Sequence, residues 1–177
     1  MEVDVAWQLD QDTKNILFAM LNCEDLLRLL TISPQNPGDD VTAITTARPS
    51  ITGTKSISQR ANEFYFTEGQ PVFINAINYP DEDTEEKGRV CFYAGRMNFK
   101  NIISPQSYVF DIYLPYSWHR YNNGCYKAMR EIVMLFKRSQ TFGDLGEVSG
   151  SNIIPIATVP KFVGYRMEFT NFNYTGW

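Results

Sequence analysis

Tyr108-Val109-Phe110-Asp111-Ile112-Tyr113-Leu114, closed by Pro115, and the later run Cys125-Tyr126-Lys127-Ala128-Met129-Arg130-Glu131-Ile132-Val133-Met134-Leu135-Phe136 together decide the fold. The first alternates Tyr108, Phe110, Ile112 and Leu114 against Val109, Asp111 and Tyr113, the period of two that a strand imposes. Both sides are rather apolar, which predicts a central strand covered on each face. In the second, Cys125, Tyr126, Met129, Ile132, Val133 and Phe136 recur at i, i+1, i+4, i+7, i+8 and i+11. Lys127, Arg130, Glu131, Lys137 and Arg138 fall mostly opposite them, which predicts one amphipathic helix. Burying those six side chains is worth at most roughly 10 kcal/mol after allowance for a compact denatured state, more than any cap or ion pair on the helix.

Outward from this pair, Tyr165, Met167 and Phe169 alternate with Arg166, Glu168 and Thr170, giving a last strand over about 162–172. Ile153 to Val159 is apolar but broken by Pro155 and Pro160, the signature of an edge. Arg89 to Tyr93 and Met97 to Ile103 read as further strands. So do Phe64, Phe66 and the run Val72 to Tyr79 between Pro71 and Pro80. Asn122-Asn123-Gly124 and Phe142-Gly143-Asp144-Leu145-Gly146 are turns. Near the N-terminus, Ile16, Met20, Cys23, Leu27 and Leu30 form one stripe, predicting a helix from about Thr13 to Leu30 capped by Asp10 or Asp12. Phe18, Leu21 and Leu29 make it greasier than one face needs, so it is either deeply buried or shared with a neighbouring subunit. Residues 34–62 are rich in Pro, Gly, Ser and Thr and long for a connection inside a domain. They read as a surface loop or as an arm ordered by another subunit. Asp81-Glu82-Asp83-Thr84-Glu85-Glu86 is an exposed acidic loop. The sum is one α+β domain over 1–177: an antiparallel or mixed sheet, an N-terminal helix, a second helix packed on one face, and a polar arm at about 34–62.

Composition narrows function. The 177 residues carry 16 Lys and Arg against 20 Asp and Glu, a net charge of −4, which argues against gripping phosphate backbones. The apolar run Ile16–Leu21 is far short of the roughly 20 residues that cross a bilayer. Three scattered cysteines, Cys23, Cys91 and Cys125, offer no C-x-x-C pair and suit a reducing cytoplasm; with a single histidine, His119, they make no zinc set.

Candidate chemistry is thin. Cys125 with His119 resembles a thiolate pair, but Cys125 sits on the buried stripe and lacks a protease surround. Asp111 with Glu147 or Glu168 would give paired carboxylates, although acids on a sheet face are commonly plain surface. Trp7, Trp118 and Trp177 are aromatic candidates for a ligand pocket. No phosphate-cradling glycine loop occurs, and no cofactor is expected.

A resemblance gives the sharper expectation. The strand Tyr108–Leu114, the single helix after it, the turn Phe142-Gly143-Asp144-Leu145-Gly146-Glu147-Val148 and the strand Phe162-Val163-Gly164-Tyr165-Arg166-Met167-Glu168-Phe169, behind an N-terminal helix, resemble the tail terminator (tail-to-head joining) proteins of tailed bacteriophages. The resemblance implies a non-enzymatic virion protein assembled in the host cytoplasm. It would form a homo-oligomeric ring, hexameric or larger, between tail tube and head connector, with DNA passing through unbound. Asp81, Glu82, Asp83, Glu85 and Glu86 become channel-lining candidates. Phe18, Leu21, Leu29, Arg48, Ile51, Ile57, Arg60 and Trp177 become subunit or partner contacts. A head-completion protein, an α+β ligand-binding module using the sheet face and Trp118, and a His119-based hydrolase are the alternatives.

Overall fold

The computed structural model describes residues 5–95, 106–137 and 148–171 and, within them, the side chains of all but 5–10, 106, 136–137, 148–151 and 170–171. The fold is α+β. Helices α1 (Val5–Asn22), α2 (Glu24–Thr31), α3 (Ile51–Thr54) and α4 (Ile57–Phe64) precede strands β1 (Phe73–Ile74), β2 (Arg89–Ala94) and β3 (Gln106–Pro115). Helices α5 (Tyr116–Asn122) and α6 (Gly124–Lys137) follow, then β4 (Val148–Ile156) and β5 (Phe162–Asn171). The sheet is mixed, in the order β1-β2-β3-β5-β4, with only the β1–β2 pair parallel.

The deciding stretch lies where its pattern puts it. β3 pairs with β2 on one side and β5 on the other, in registers that align Phe92, Phe110 and Met167 across one face. Those side chains meet Met129 and Ile132 of α6, Leu26, Leu27 and Leu30 of α2, and Ile16 and Met20 of α1 in one continuous core. Between α5 and α6, Asn123 adopts a left-handed conformation at φ 57°, which Asn tolerates better than branched residues. β4 is the edge that Pro155 foretold. The expected strand at Met97–Ile103 and the turn at 142–146 lie outside the described residues.

Several expectations need correction. The first helix starts at Val5, because Ala6, Gln8 and Leu9 are good helix formers and nothing stops it at Asp12. Asp12 is no cap: it is buried and accepts a 2.6 Å hydrogen bond from the Tyr108 hydroxyl. The helix breaks at Cys23, whose extended backbone separates α1 from α2 and leaves Asn22 Oδ1 accepting from Arg60 at 2.5 Å. Phe64 and Phe66 end and follow α4, and of Val72–Tyr79 only two residues pair as strand.

The largest correction concerns residues 34–62. They fold on their own chain, clamped by two side chains of α2. Arg28 is fully buried and directs its donors to Val41 O (2.9 Å), Pro49 O (2.8 Å), Ala43 O (2.7 Å), Arg48 O (3.1 Å) and Glu24 Oε1 (3.3 Å). All the guanidinium hydrogens are thereby matched. Glu24 accepts from the Ile51 and Thr52 amides at 2.9 and 2.7 Å and from the Ser50 and Thr52 hydroxyls. Burial raises the Glu24 carboxyl, but these hydrogen bonds outweigh it and hold the group at about 2, against 4.5 ordinarily. With the folded value depressed, its stabilisation is complete above about pH 4.5 and disappears as pH falls through about 2. Urea midpoints measured between those limits should fall less steeply in Glu24→Gln than in the wild type; equal slopes would refute the clamp's dependence on that charge.

Candidate functional site

Helices cover one face of the sheet; on the other, Cys91, Tyr113 and Phe162 form a second, smaller core against Ile74, Ile156 and Val159. Alternation sends Cys91 and Tyr93 of β2, Val109, Asp111 and Tyr113 of β3, and Arg166 and Glu168 of β5 to that second side. There Asp111, buried in the middle strand, takes both oxygens into a bidentate pair with Arg166, at 2.6 and 2.7 Å. The Tyr93 hydroxyl donates to the same carboxylate at 2.9 Å. The segment after β1 lies against this face: Asn78 accepts from Arg89 (2.8 Å) and, through its carbonyl, from the Cys91 thiol (3.2 Å). Tyr79 meets Tyr113 edge-on, ring centroids 6.3 Å apart. Gly164 lies under Tyr113 and Ile156; a Cβ there would come within 3.0 Å of the ring and 2.8 Å of Ile156.

Burial and the neighbouring Asp111 set the electrostatics of this face. Burial pushes the Cys91 thiol up to about 11. Burial, and then the Asp111 charge, hold the Tyr93 and Tyr113 phenols well above their usual range. No thiolate or phenolate is available there at neutral pH. Asp111, read from sequence as one of two paired carboxylates, is engaged by Arg166; Glu168 lies on the same face opposite Val109, and Glu147 is outside the described residues. His119 sits on α5 against Tyr126 and Tyr165, whose hydroxyls are 3.0 Å apart. Burial lowers its pKa. Burial raises the Cys125 thiol to about 12, so that residue is a core side chain and not a poised nucleophile. Tyr126, expected on the buried stripe, is half exposed at its margin. Trp118 is buried in the main core.

The contact candidates divide sharply. Leu21 and Leu29 are buried within the protomer, and Ile51 and Ile57 pack against the same core, whereas Phe18 is 49% exposed. Arg48 pairs with Asp39 of its own chain at 2.7 Å, and Arg60 is buried, donating to Thr52 O, Lys55 O and Asn22 Oδ1. Both guanidiniums are engaged within their own chain. The Trp177 position and the Trp7 side chain lie outside the described residues. Asp81, Glu82, Asp83, Glu85 and Glu86 are all exposed, in a loop folded by Asp81 accepting from the Thr84 hydroxyl and the Asp83 amide. Lys161 ties this loop to the start of β5 through Glu82 O.

A concavity of about 460 Å³ lies between the end of α2 and residues 47–55. Its two cations are already neutralised, Arg48 by Asp39 and Lys55 by Glu63. Among the described residues no group of three or more His, Cys, Asp or Glu is placed to hold a metal, and no helix is long and apolar enough to cross a membrane.

Among the described residues, β4 is the outer strand of the sheet and exposes Ile153 on one face and Ile154 on the other, at 48% and 49%. Sequence reading found the edge at Pro155 but not this exposure, which depends on how far α6 reaches across the sheet.

Fold and surface thus define a one-sheet α+β protein in which, among the described residues, Arg28, Arg48, Lys55 and Arg166 pair within the chain and β4 is an outer strand of the sheet. The chain belongs to the YomW family, whose model matches residues 24–171, a phage-derived protein family. No curated protein and no solved structure matches the chain.

Proposed function

We propose that this chain is a structural component of the phage neck: a ring-forming tail terminator that joins the tail tube to the head connector, with DNA passing through the central channel. The observation that carries the reading is the β4 edge, a nine-residue outer strand with apolar side chains exposed on both faces. Long neutral edges of this kind seek a partner. Membership of a phage-derived family supports the same reading. So does the exposed acidic loop 81–86, since carboxylates facing a channel repel phosphates and let DNA slide. The role asks for no catalysis and no cofactor.

Native mass spectrometry with negative-stain imaging tests it. The purified chain is expected to form closed rings with a central opening and to cap assembled tail tubes. A protein that stays monomeric at every concentration, and with tubes present, would overturn the proposal.

A further inference from the structure

Residues 75–79 leave the sheet after β1 and cross its second face between two fixed ends, Ile74, paired with Cys91, and the buried Pro80. All five are exposed, and no backbone–backbone hydrogen bond joins them to another described residue. Three contacts made by two residues hold the segment down. Asn78 Oδ1 accepts from Arg89 at 2.8 Å, the Asn78 carbonyl takes the weak Cys91 thiol donor at 3.2 Å, and the Tyr79 ring meets Tyr113 edge-on. Cys91 and Tyr113 lie beneath, each 1% exposed. The buried Tyr113 hydroxyl has no hydrogen-bond partner, and a buried polar group left unmet is a standing cost of the closed arrangement.

We infer that residues 75–79 are a strap that opens as a local unit while the sheet and helices stay folded, baring Cys91 and Tyr113 to solvent. Segments with few buried apolar contacts and an exposed backbone are the first to open. Opening gives up one hydrogen bond to a charged donor, one weak thiol bond and one ring contact. It also lets water reach the Arg89 guanidinium, the Cys91 thiol and the unmet Tyr113 hydroxyl. The contrast with residues 34–62 is one of anchoring: there Arg28 grips four backbone carbonyls from inside the core. Cys125 supplies the comparison within the same molecule. It is as deeply buried as Cys91 but belongs to the main core, with its thiol facing the Val163 carbonyl of β5 at 3.7 Å. No strap covers it, so it reaches solvent only when the helix leaves the sheet. The inference concerns the second face and does not depend on the ring.

Iodoacetamide labelling of the native full-length chain, followed by peptide mass mapping, reads both thiols in one experiment. Cys91 is expected to react at least about tenfold faster than Cys125, as a local opening precedes a global one. In urea below the unfolding transition the Cys91 rate should barely change while the Cys125 rate climbs, because a local opening exposes little surface and unfolding exposes much. Asn78→Ala removes the acceptor of Arg89 from an exposed position. It should speed Cys91 by about tenfold, the worth of one hydrogen bond to a charged group, and leave Cys125 as it was. Equal rates with a common urea dependence would mean that Cys91 emerges only on global unfolding, which overturns the inference. An Asn78→Ala chain whose Cys91 reacts no faster would overturn it too. The wild-type comparison decides by itself should the variant misfold.

Discussion

Arg28→Ala is expected to destabilise the protein by about 3–5 kcal/mol, the range for removing one partner of a buried charge pair. The guanidinium does more than neutralise Glu24. It alone links α2 to the carbonyls of Val41, Ala43, Arg48 and Pro49. Without it those oxygens lose a charge-assisted donor, and Glu24 keeps its partners in 50–52 but not its counter-charge. Arg28→Lys should recover only part of the loss, because a point ammonium cannot reproduce a planar fork that reaches five acceptors. Urea unfolding checks the magnitude. Tryptic cleavage at Arg48 and Lys55 locates it, since cutting there should accelerate before the core opens. Lys55→Ala serves as the control: its pair with Glu63 is well exposed, and its loss should lie within about 1 kcal/mol. A loss below about 1 kcal/mol for Arg28→Ala would mean that apolar contacts, and not the clamp, hold residues 34–56.

Asp111→Ala is the second large effect, about 3 kcal/mol and near the low end of the same range, because Arg166 keeps 28% side-chain exposure and water can take over part of its solvation. The change strips partners from both Arg166 and the Tyr93 hydroxyl on the central strand. A cycle with Arg166→Ala should return a coupling of about 1–3 kcal/mol, as for residues in one buried network. A spectroscopic signature separates this from simple loss of packing. The Asp111 charge helps hold the Tyr93 phenol high, so removing it should bring that phenol's ultraviolet titration down toward the usual range. An unmoved titration, or additive single effects, would show that the pair is not energetically coupled.

Sequence carried the sheet-and-helix skeleton because periodicity is a local consequence of burying one face. Tyr108–Leu114, Arg89–Tyr93 and Tyr165–Phe169 each encode a face in every second residue. Cys125, Met129 and Ile132 do so at helical spacing. Ser56-Ile57-Ser58-Gln59, read with its surroundings as loop or arm, carries a capping-box pattern that is realised in full at the start of α4. The site was less legible. Asp111 stood out as a carboxylate in an apolar strand, but its partner Arg166 is fixed only by strand register, and nothing in Asn78 or Tyr79 tells that they fold back onto β2 and β3.

By itself, then, the sequence determined which segments bury a face and where β4 would form an edge, since those depend on neighbours a few residues away. Tertiary structure alone decided that residues 34–62 close on Arg28 and Glu24, that Leu21 and Leu29 are interior, and that β4 exposes Ile153 and Ile154. Those outcomes depend on distant partners and on backbone carbonyls, which every residue carries alike and no sequence pattern can mark.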